Sequence, residues 1–326
     1  EIEGAVQVGS CNNGGLDSLF VSTARQQGGL QGTFTLFDGS PDRLPIATYT
    51  LATFSADSGI QDYVAASLAF GSFSRAGAAD VMAIGVDFRN PEEDWSQWLL
   101  PDIGGLVNPP ERLVMNERPD ANPQRPHGML TGLSVASASA DLENDRLDEV
   151  LWLIPQEAGG CSLLIYDVDV STEEALKRQE LALDTSCPEP ELAVADADRD
   201  GHPDVLFLLG DIAADHVSRL EVLWNDGRGR FSLSERSTLL SPQEMLRAFS
   251  VREGTGEIAI VRDSVLQLVP LDLDTRSFGE PKTLAELQNG RAVVFADPNG
   301  DNQSDLVVGD ARGLWLLRAG LEEPAR

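Results

Sequence analysis

One pattern recurs along this chain and limits what it can fold into: an acidic or glycine-rich loop, a closing Asp or Glu, then a short apolar run. The clearest copies span residues 138–154, 192–209 and 293–308. Across all copies the closing acids are Asp17, Asp80, Glu149, Asp204, Glu257 and Asp305. They are separated by 63, 69, 55, 53 and 48 residues. A repeat of this length indicates a supersecondary module that stacks along the chain.

Each repeat unit has the pattern of strands. The apolar runs are short, rich in Val, Leu, Ile and Phe, and bounded by Gly, Asp, Asn and Pro. A third run follows the acidic loop in every unit, and a fourth follows in the first five, as at residues 163–168 and 180–183. These features predict an all-β chain, with residues 1–326 forming a single β-propeller domain of six blades of mainly four antiparallel strands, or alternatively seven blades. The sixth unit lacks an obvious fourth strand, so the way such a ring closes stays open.

Three of the acidic loops have the spacing that calcium requires. Calcium takes six to eight oxygen ligands, and alternate residues of a tight loop can turn their carboxylates inward. The first predicted ligand set is Asp196, Asp198, Asp200, Asp204 and the carbonyl of His202. The second is Asp297, Asn299, Asp301, Asp305 and the carbonyl of Gln303. The third is Asp141, Glu143, Asp145, Glu149 and the carbonyl of Leu147.

The third loop is expected to bind more weakly than the other two. Arg146 stands where the first loop has Gly201, and two of its acids are the longer Glu. The sequence therefore predicts two calcium ions, and a third if this loop also binds. An EF-hand is excluded, because its twelfth position needs a bidentate Glu and the three loops have Phe207, Val308 and Trp152 there.

These residues resemble a known family, the FG-GAP or VCBS repeat, which forms the blades of the integrin α-chain propeller. The resemblance is carried by residues 70–73 (Phe-Gly-Ser-Phe), by the loops at 196–204 and 297–305 with the apolar strands that follow, and by residues 225–227 (Asn-Asp-Gly). It implies loops that bind calcium and stiffen the blade. It also implies that function lies in recognition by surface loops.

Two of the three cysteines are predicted to form a disulfide. Cys161 precedes the third strand of its unit and Cys187 follows the fourth, so a hairpin centred near residue 174 would place them opposite each other. A bridge would imply an oxidising compartment. The chain opens on Glu1-Ile2-Glu3-Gly4, without a signal-peptide pattern. We expect an extracellular, cell-surface or periplasmic location.

Charge excludes two classes of partner. The formal net charge is −29, from 53 acidic and 24 basic residues, so the chain would repel nucleic acid and anionic membranes. Its longest apolar runs have strand length, which predicts no membrane insertion.

Catalysis has little support in the sequence. The three histidines lie in separate stretches, and no nucleophile elbow, zinc motif or phosphate-binding glycine loop occurs. We therefore expect no enzyme, but a calcium-stabilised module for protein–protein interaction, adhesion or envelope assembly. The alternative is an extracellular propeller that binds or cleaves glycans. Trp95 and Trp98, in the wide insertion at 87–127, would then form a recognition surface or instead pack between blades.

Overall fold

The structure is a computed structural model, and its contacts divide the chain into two compact units, Glu1–Asp184 and Thr185–Arg326. The residues it describes are 7–12, 17–26, 30–37, 45–55, 59–78, 80–87, 95–101, 111–115, 135–156, 160–185, 187, 190–210, 218–241, 245–252, 254–262, 264–296 and 303–318. Within them, no helix has the length and apolar character to cross a membrane.

The first unit is built of antiparallel strands. They are β1 (Gln7–Asn12), β2 (Asp17–Gln26), β3 (Leu30–Phe37), β4 (Pro45–Ser55), β5 (Gly59–Gly71), β6 (Asp80–Asp87), β7 (Trp95–Leu100), β8 (Glu111–Met115), β9 (Ala136–Ala140), β10 (Glu149–Pro155), β11 (Cys161–Asp169) and β12 (Glu174–Leu183). All pair into one sheet, in which β8 and β12 meet in a parallel pair.

The second unit contains three further sheets. Its strands are β13 (Leu192–Ala195), β14 (Asp204–Gly210), β15 (Ser218–Leu223), β16 (Arg236–Ser241), β17 (Leu246–Arg252), β18 (Glu257–Arg262), β19 (Val265–Asp272), β20 (Ser277–Phe278), β21 (Lys282–Glu286), β22 (Ala292–Ala296), β23 (Asp305–Asp310) and β24 (Gly313–Leu317). The sheets contain β13–β16, β17–β21 and β22–β24.

The repeat pattern located the strands correctly. Each of the predicted closing acids is the first residue of a strand, namely β2, β6, β10, β14, β18 or β23. For Asp80, Glu149 and Asp204 the acid marks this point because its carboxylate accepts a hydrogen bond from the backbone of the preceding loop, while the apolar residues after it enter the sheet. Asp204 shows this arrangement, since its Oδ2 accepts a hydrogen bond from the Ala197 backbone N at 3.0 Å.

The predicted number of blades is wrong. The described strands form five blades of three to five strands: β5–β8, β9–β12, β13–β16, β17–β21 and β22–β24. Strands β1–β4, predicted as a separate first blade, instead continue the sheet of β5, with Ala52 of β4 opposite Asp62 of β5. β4 ends at residue 55 and β5 begins at 59, a hairpin-length link that keeps the two strands hydrogen-bonded. The contact of β8 with β12 is different, since it is parallel and spans only two residue pairs.

Blades β5–β8 and β9–β12 are joined at the Phe-Gly-Ser-Phe segment. The Ser72 backbone N donates to Asp148 Oδ2 at 2.7 Å, and the Asp148 backbone N donates to the Ser72 carbonyl at 3.1 Å. A Cβ on Gly71 would lie 2.5 Å from Asp148 Oδ2, so only glycine lets this carboxylate approach. The two blades also share a core, in which Trp152 is fully buried.

In the second unit, two apolar clusters form the core. The larger packs β13–β16 against β17–β19 and includes Phe249, Ile260 and Trp224. The smaller packs β17–β19 against β22–β24 and includes Val261 and Val308. The inward residues alternate along the strands, as expected for sheets packed face to face.

Candidate metal centres

The first predicted calcium loop brings three carboxylates together. Asp196, Asp198 and Asp204 offer oxygens that lie within 4.8 Å of one another. The Asp196 Oδ2 accepts from the Gly201 backbone N at 3.1 Å, while its Oδ1 is buried and has no hydrogen-bond partner. A buried carboxylate oxygen without a partner, on a residue grouped with two other carboxylates, suits a hard cation. These three residues could therefore hold a metal ion.

The backbone of this loop has the shape that the spacing predicts. Arg199 and Gly201, at the fourth and sixth positions, have φ of 66° and 87°. The equivalent positions of the 141–149 loop, Asn144 and Arg146, have φ of 60° and 77°. The two loops thus share one conformation. Arg146 adopts at its position a left-handed conformation that glycine adopts with less strain.

Electrostatics favour a cation at this cluster. Burial, and then the charges of Asp198 and Asp200, raise the pKa of Asp204 from 3.8 to about 7. Arg276 supplies some positive charge, with its Nη2 at 2.5 Å from Asp198 Oδ2 and 3.6 Å from Asp200 Oδ2. Asp200 lies outside the group of three, and its Oδ1 accepts from the His202 backbone N at 2.9 Å.

The third predicted loop forms a different cluster. Glu143 and Glu149 come together with Asp167 of β11, their carboxylate oxygens within 4.8 Å of one another. Asp141 and Asp145 instead hold the loop itself: Asp141 accepts from the Asp145 backbone N at 2.9 Å, and Asp145 accepts from that of Leu147 at 2.8 Å. Burial is the main cause that raises the pKa of Glu149 to about 7.

Two residues of this cluster were not predicted from the sequence: Asp167, and Arg178 of β12, which contacts all three acids of the cluster. The Arg178 Nη1 lies 3.4 Å from Glu149 Oε1 and 3.3 Å from Asp167 Oδ1, and it also forms an ion pair with Glu143. Both residues are outside the loop motif. The available signal was the pair of basic residues Lys177 and Arg178 in the hairpin after the loop, since β12 is antiparallel to β11, the strand that carries Asp167.

The second predicted loop lies mostly outside the described residues. Asp297, Asn299 and Asp301 fall in the undescribed range 297–302. Gln303 is exposed, and Asp305 is buried at the start of β23, as Asp204 is at the start of β14. Calcium binding by this loop stays a prediction.

Both cysteines of the predicted bridge are disulfide-bonded and buried. The hairpin between β11 and β12 differs in register from the expected one. Asp169 faces Glu174 and Cys161 faces Leu183, so the turn is centred near residues 171–172 instead of 174.

The pairing of Cys161 with Cys187 stays a prediction. Peptide mass spectrometry of the unreduced protein is expected to yield a cross-linked peptide that contains both residues. Free thiols at both positions would contradict it.

Of the two tryptophans proposed for recognition, Trp98 has a described side chain and Trp95 does not. Trp98 is 3 % exposed, which favours packing within the blades over a role on the surface. Trp95 begins β7, and its side chain lies outside the described residues. The exposed aromatic side chain in the described part of the chain is Trp315 of β24, at 43 %.

Comparisons with known proteins bear on the fold. No protein family matches the sequence, and no curated protein matches it. Among solved structures, the chain is similar to the Dos1 propeller, with 12 % identity and a TM-score of 0.50, over 89 % of this chain and 61 % of that one. The chain thus spans less than two thirds of the length of that relative.

Two further structures are similar at a TM-score of 0.47. One is a mutant of Aleuria aurantia lectin in complex with alpha-methyl-L-fucoside, at 10 % identity over 98 % of this chain and 94 % of that one. The other is a nidogen/laminin complex, at 13 % identity over 94 % and 91 %. The FG-GAP or VCBS resemblance stays a prediction. The strand pattern and the likeness to the Dos1 propeller together indicate that this all-β chain has the β-propeller fold.

Proposed function

We propose that this chain is a non-enzymatic, extracellular binding module that calcium stabilises, and that it recognises another protein through the last sheet, β22–β24. The observation that carries this proposal is an exposed apolar face on that sheet. Of the large hydrophobic side chains that are exposed in the described residues, four of five belong to these strands: Val294, Leu314 and Leu316 on this face, and Trp315 on the opposite face.

Strand register defines this face. Val294 of β22 lies opposite Val307 of β23, which lies opposite Leu316 of β24. Residues that are directly opposite in an antiparallel sheet share a face, and Leu314, two positions before Leu316, lies on that face too. Leu314 is 82 % exposed and Leu316 is 46 % exposed. A contiguous apolar face of this kind is typical of a protein interaction surface.

Calcium has a supporting role in this proposal. Asp196, Asp198 and Asp204 would hold the ion, and its positive charge would offset the repulsion among their carboxylates. A stiffer loop between β13 and β14 would reduce the conformational entropy that the protein loses when it binds a partner. The buried disulfide-bonded cysteines support an oxidising compartment.

The test compares two variants with the same chemical change at different sites. We expect the double variant Leu314→Ser, Leu316→Ser to lose the proteins that the wild type captures from its native source. Leu240→Ser, which alters a leucine of β16 that is 59 % exposed, should retain them. Mass spectrometry of the captured proteins gives the readout.

Two outcomes would contradict the proposal. Equal capture by both variants would show that this face is not the binding surface. A large fall in the melting temperature of the double variant, and none in Leu240→Ser, would show that the face packs against this chain's own residues.

A glycan-binding role remains the second candidate, because Trp315 is an exposed ring in a fixed orientation. Its Nε1 donates to Asp310 Oδ1 at 2.9 Å, and the Arg312 guanidinium lies 4.3 Å from the ring centroid. Such a ring can stack on a sugar. Glycan-array binding that Trp315→Ala abolishes, together with no captured protein, would favour this candidate; a hydrolase screen would then separate binding from cleavage.

A further inference from the structure

Arg178 lies among the acids of the 141–149 loop and Asp167, where a metal ion would be expected. Its guanidinium comes from β12 and contacts all three acids of the cluster, Glu143, Glu149 and Asp167. The Arg178 side chain is only 17 % exposed, and that of Glu149 is 5 % exposed. The Glu143 and Asp167 side chains are 37 % and 45 % exposed. A cation among three carboxylates offsets the repulsion that would otherwise oppose their approach.

The Asp196 cluster differs in this respect. There Arg276 is 40 % exposed and contacts Asp198 and Asp200, with its guanidinium 4.9 Å from the centroid of the Trp224 ring. Among the described ion pairs it has none with Asp204 or Asp196. The Asp196 Oδ1 stays without a hydrogen-bond partner. The Glu143–Glu149–Asp167 cluster therefore contains its own cation, Arg178. In the Asp196 cluster, one buried carboxylate oxygen has no hydrogen-bond partner.

Arginine suits this role for a geometric reason. A guanidinium stays protonated at any physiological pH and has five N–H donors in a planar fork, so one group can serve several carboxylates. Arg178 lies at the register shift of β12 against β11, the strand that carries Asp167, between the paired residues Lys177 and Gln179. In the folded chain, Arg178 is thus placed beside the loop acids whatever the calcium concentration is.

We propose that Arg178 is the internal cation of the Glu143–Glu149–Asp167 cluster, so that this loop binds no calcium in the native protein. The cluster is then a latent calcium site, which opens when the arginine is removed. The two loops thus share one backbone conformation, but different cations balance their acids. A metal ion would do so in the 196–204 loop, and Arg178 does so in the 141–149 loop. This inference does not depend on whether the 196–204 loop binds calcium.

The first experiment measures calcium stoichiometry by isothermal titration of the wild type and of Arg178→Gln. We expect the variant to bind one more calcium ion per chain than the wild type does. The matched control is Arg219→Gln, an arginine that is 19 % exposed and pairs with the buried Glu221. Glu221 is a single carboxylate and also contacts Arg236, so this control should gain no ion. An Arg178→Gln variant that gains none would overturn the proposal.

A second experiment keeps Arg178 in place, in case its replacement prevents folding. The double variant Glu143→Gln, Asp167→Asn should bind as many calcium ions as the wild type. A loss of one ion would show that the cluster already holds calcium, which would overturn the proposal. Failure of the 196–204 loop to bind would lower the count equally in every protein and leave these differences unchanged.

Discussion

Replacing Trp152 by alanine is expected to lower the free energy of unfolding by about 3–5 kcal/mol, the usual cost of emptying a large buried aromatic site. Trp152 is fully buried in β10 and packs in the core that β5–β8 and β9–β12 share. Surrounding side chains such as Met82 and Leu164 come from different strands of the sheet, so they cannot all move to fill the space. Urea unfolding followed by circular dichroism measures the change.

Trp152→Phe provides the matched control for this prediction. The Trp152 Nε1 is buried and has no hydrogen-bond partner, so the phenylalanine variant loses ring volume but no hydrogen bond. We expect a clearly smaller loss of stability than with alanine. Equal losses for the two variants would contradict the view that ring volume in this core is what stabilises the blades.

Calcium should raise the melting temperature of the protein, and EDTA should reverse the effect. Binding to the folded state alone stabilises it by about 2.7 kcal/mol when the free calcium is a hundred times the dissociation constant. The ion would neutralise the Asp196, Asp198 and Asp204 cluster, in which burial is the main cause that raises the pKa of Asp204 to about 7. Calorimetric melts in calcium and in EDTA measure the difference.

Asp196→Asn should reduce this calcium-dependent shift, because it removes charge from the carboxylate with the unsatisfied oxygen. Asp274→Asn makes the same chemical change at an exposed turn, and its shift should equal that of the wild type. If EDTA leaves the melt of the wild type unchanged, calcium does not stabilise this fold. A similar shift in both variants would place the ion outside the 196–204 loop.

Features encoded within a short segment could be predicted. The closing acids begin strands because the short apolar run after Glu149, Asp204 and Asp305 is a local signal that needs no distant partner. The loop conformation was similarly accessible, since Gly201 at the sixth position allows the positive φ that the turn adopts.

Features that depend on pairing between strands could not be predicted. The blade count differed because β4 stays hydrogen-bonded to β5 across a short link, and the pattern of apolar residues does not say where one sheet ends. Trp98 looks the same in the sequence whether it faces solvent or the core. The turn between β11 and β12 is centred near residues 171–172, since Asp169 already faces Glu174 next to the turn, and the bulge between Ile165 and Tyr166 changes this centre little.

The sequence by itself determined an all-β chain of repeated strands with acidic loops, because spacing along the chain controls which residues share a turn or a strand face. Only the tertiary structure decided which cation each acidic loop meets. Asp167 and Arg178 reach Glu143 and Glu149 from strands that follow them in the chain, and Arg276 reaches Asp198 from more than seventy residues away. Contacts of this kind arise from strand register and packing, which the spacing of residues within a single loop does not encode.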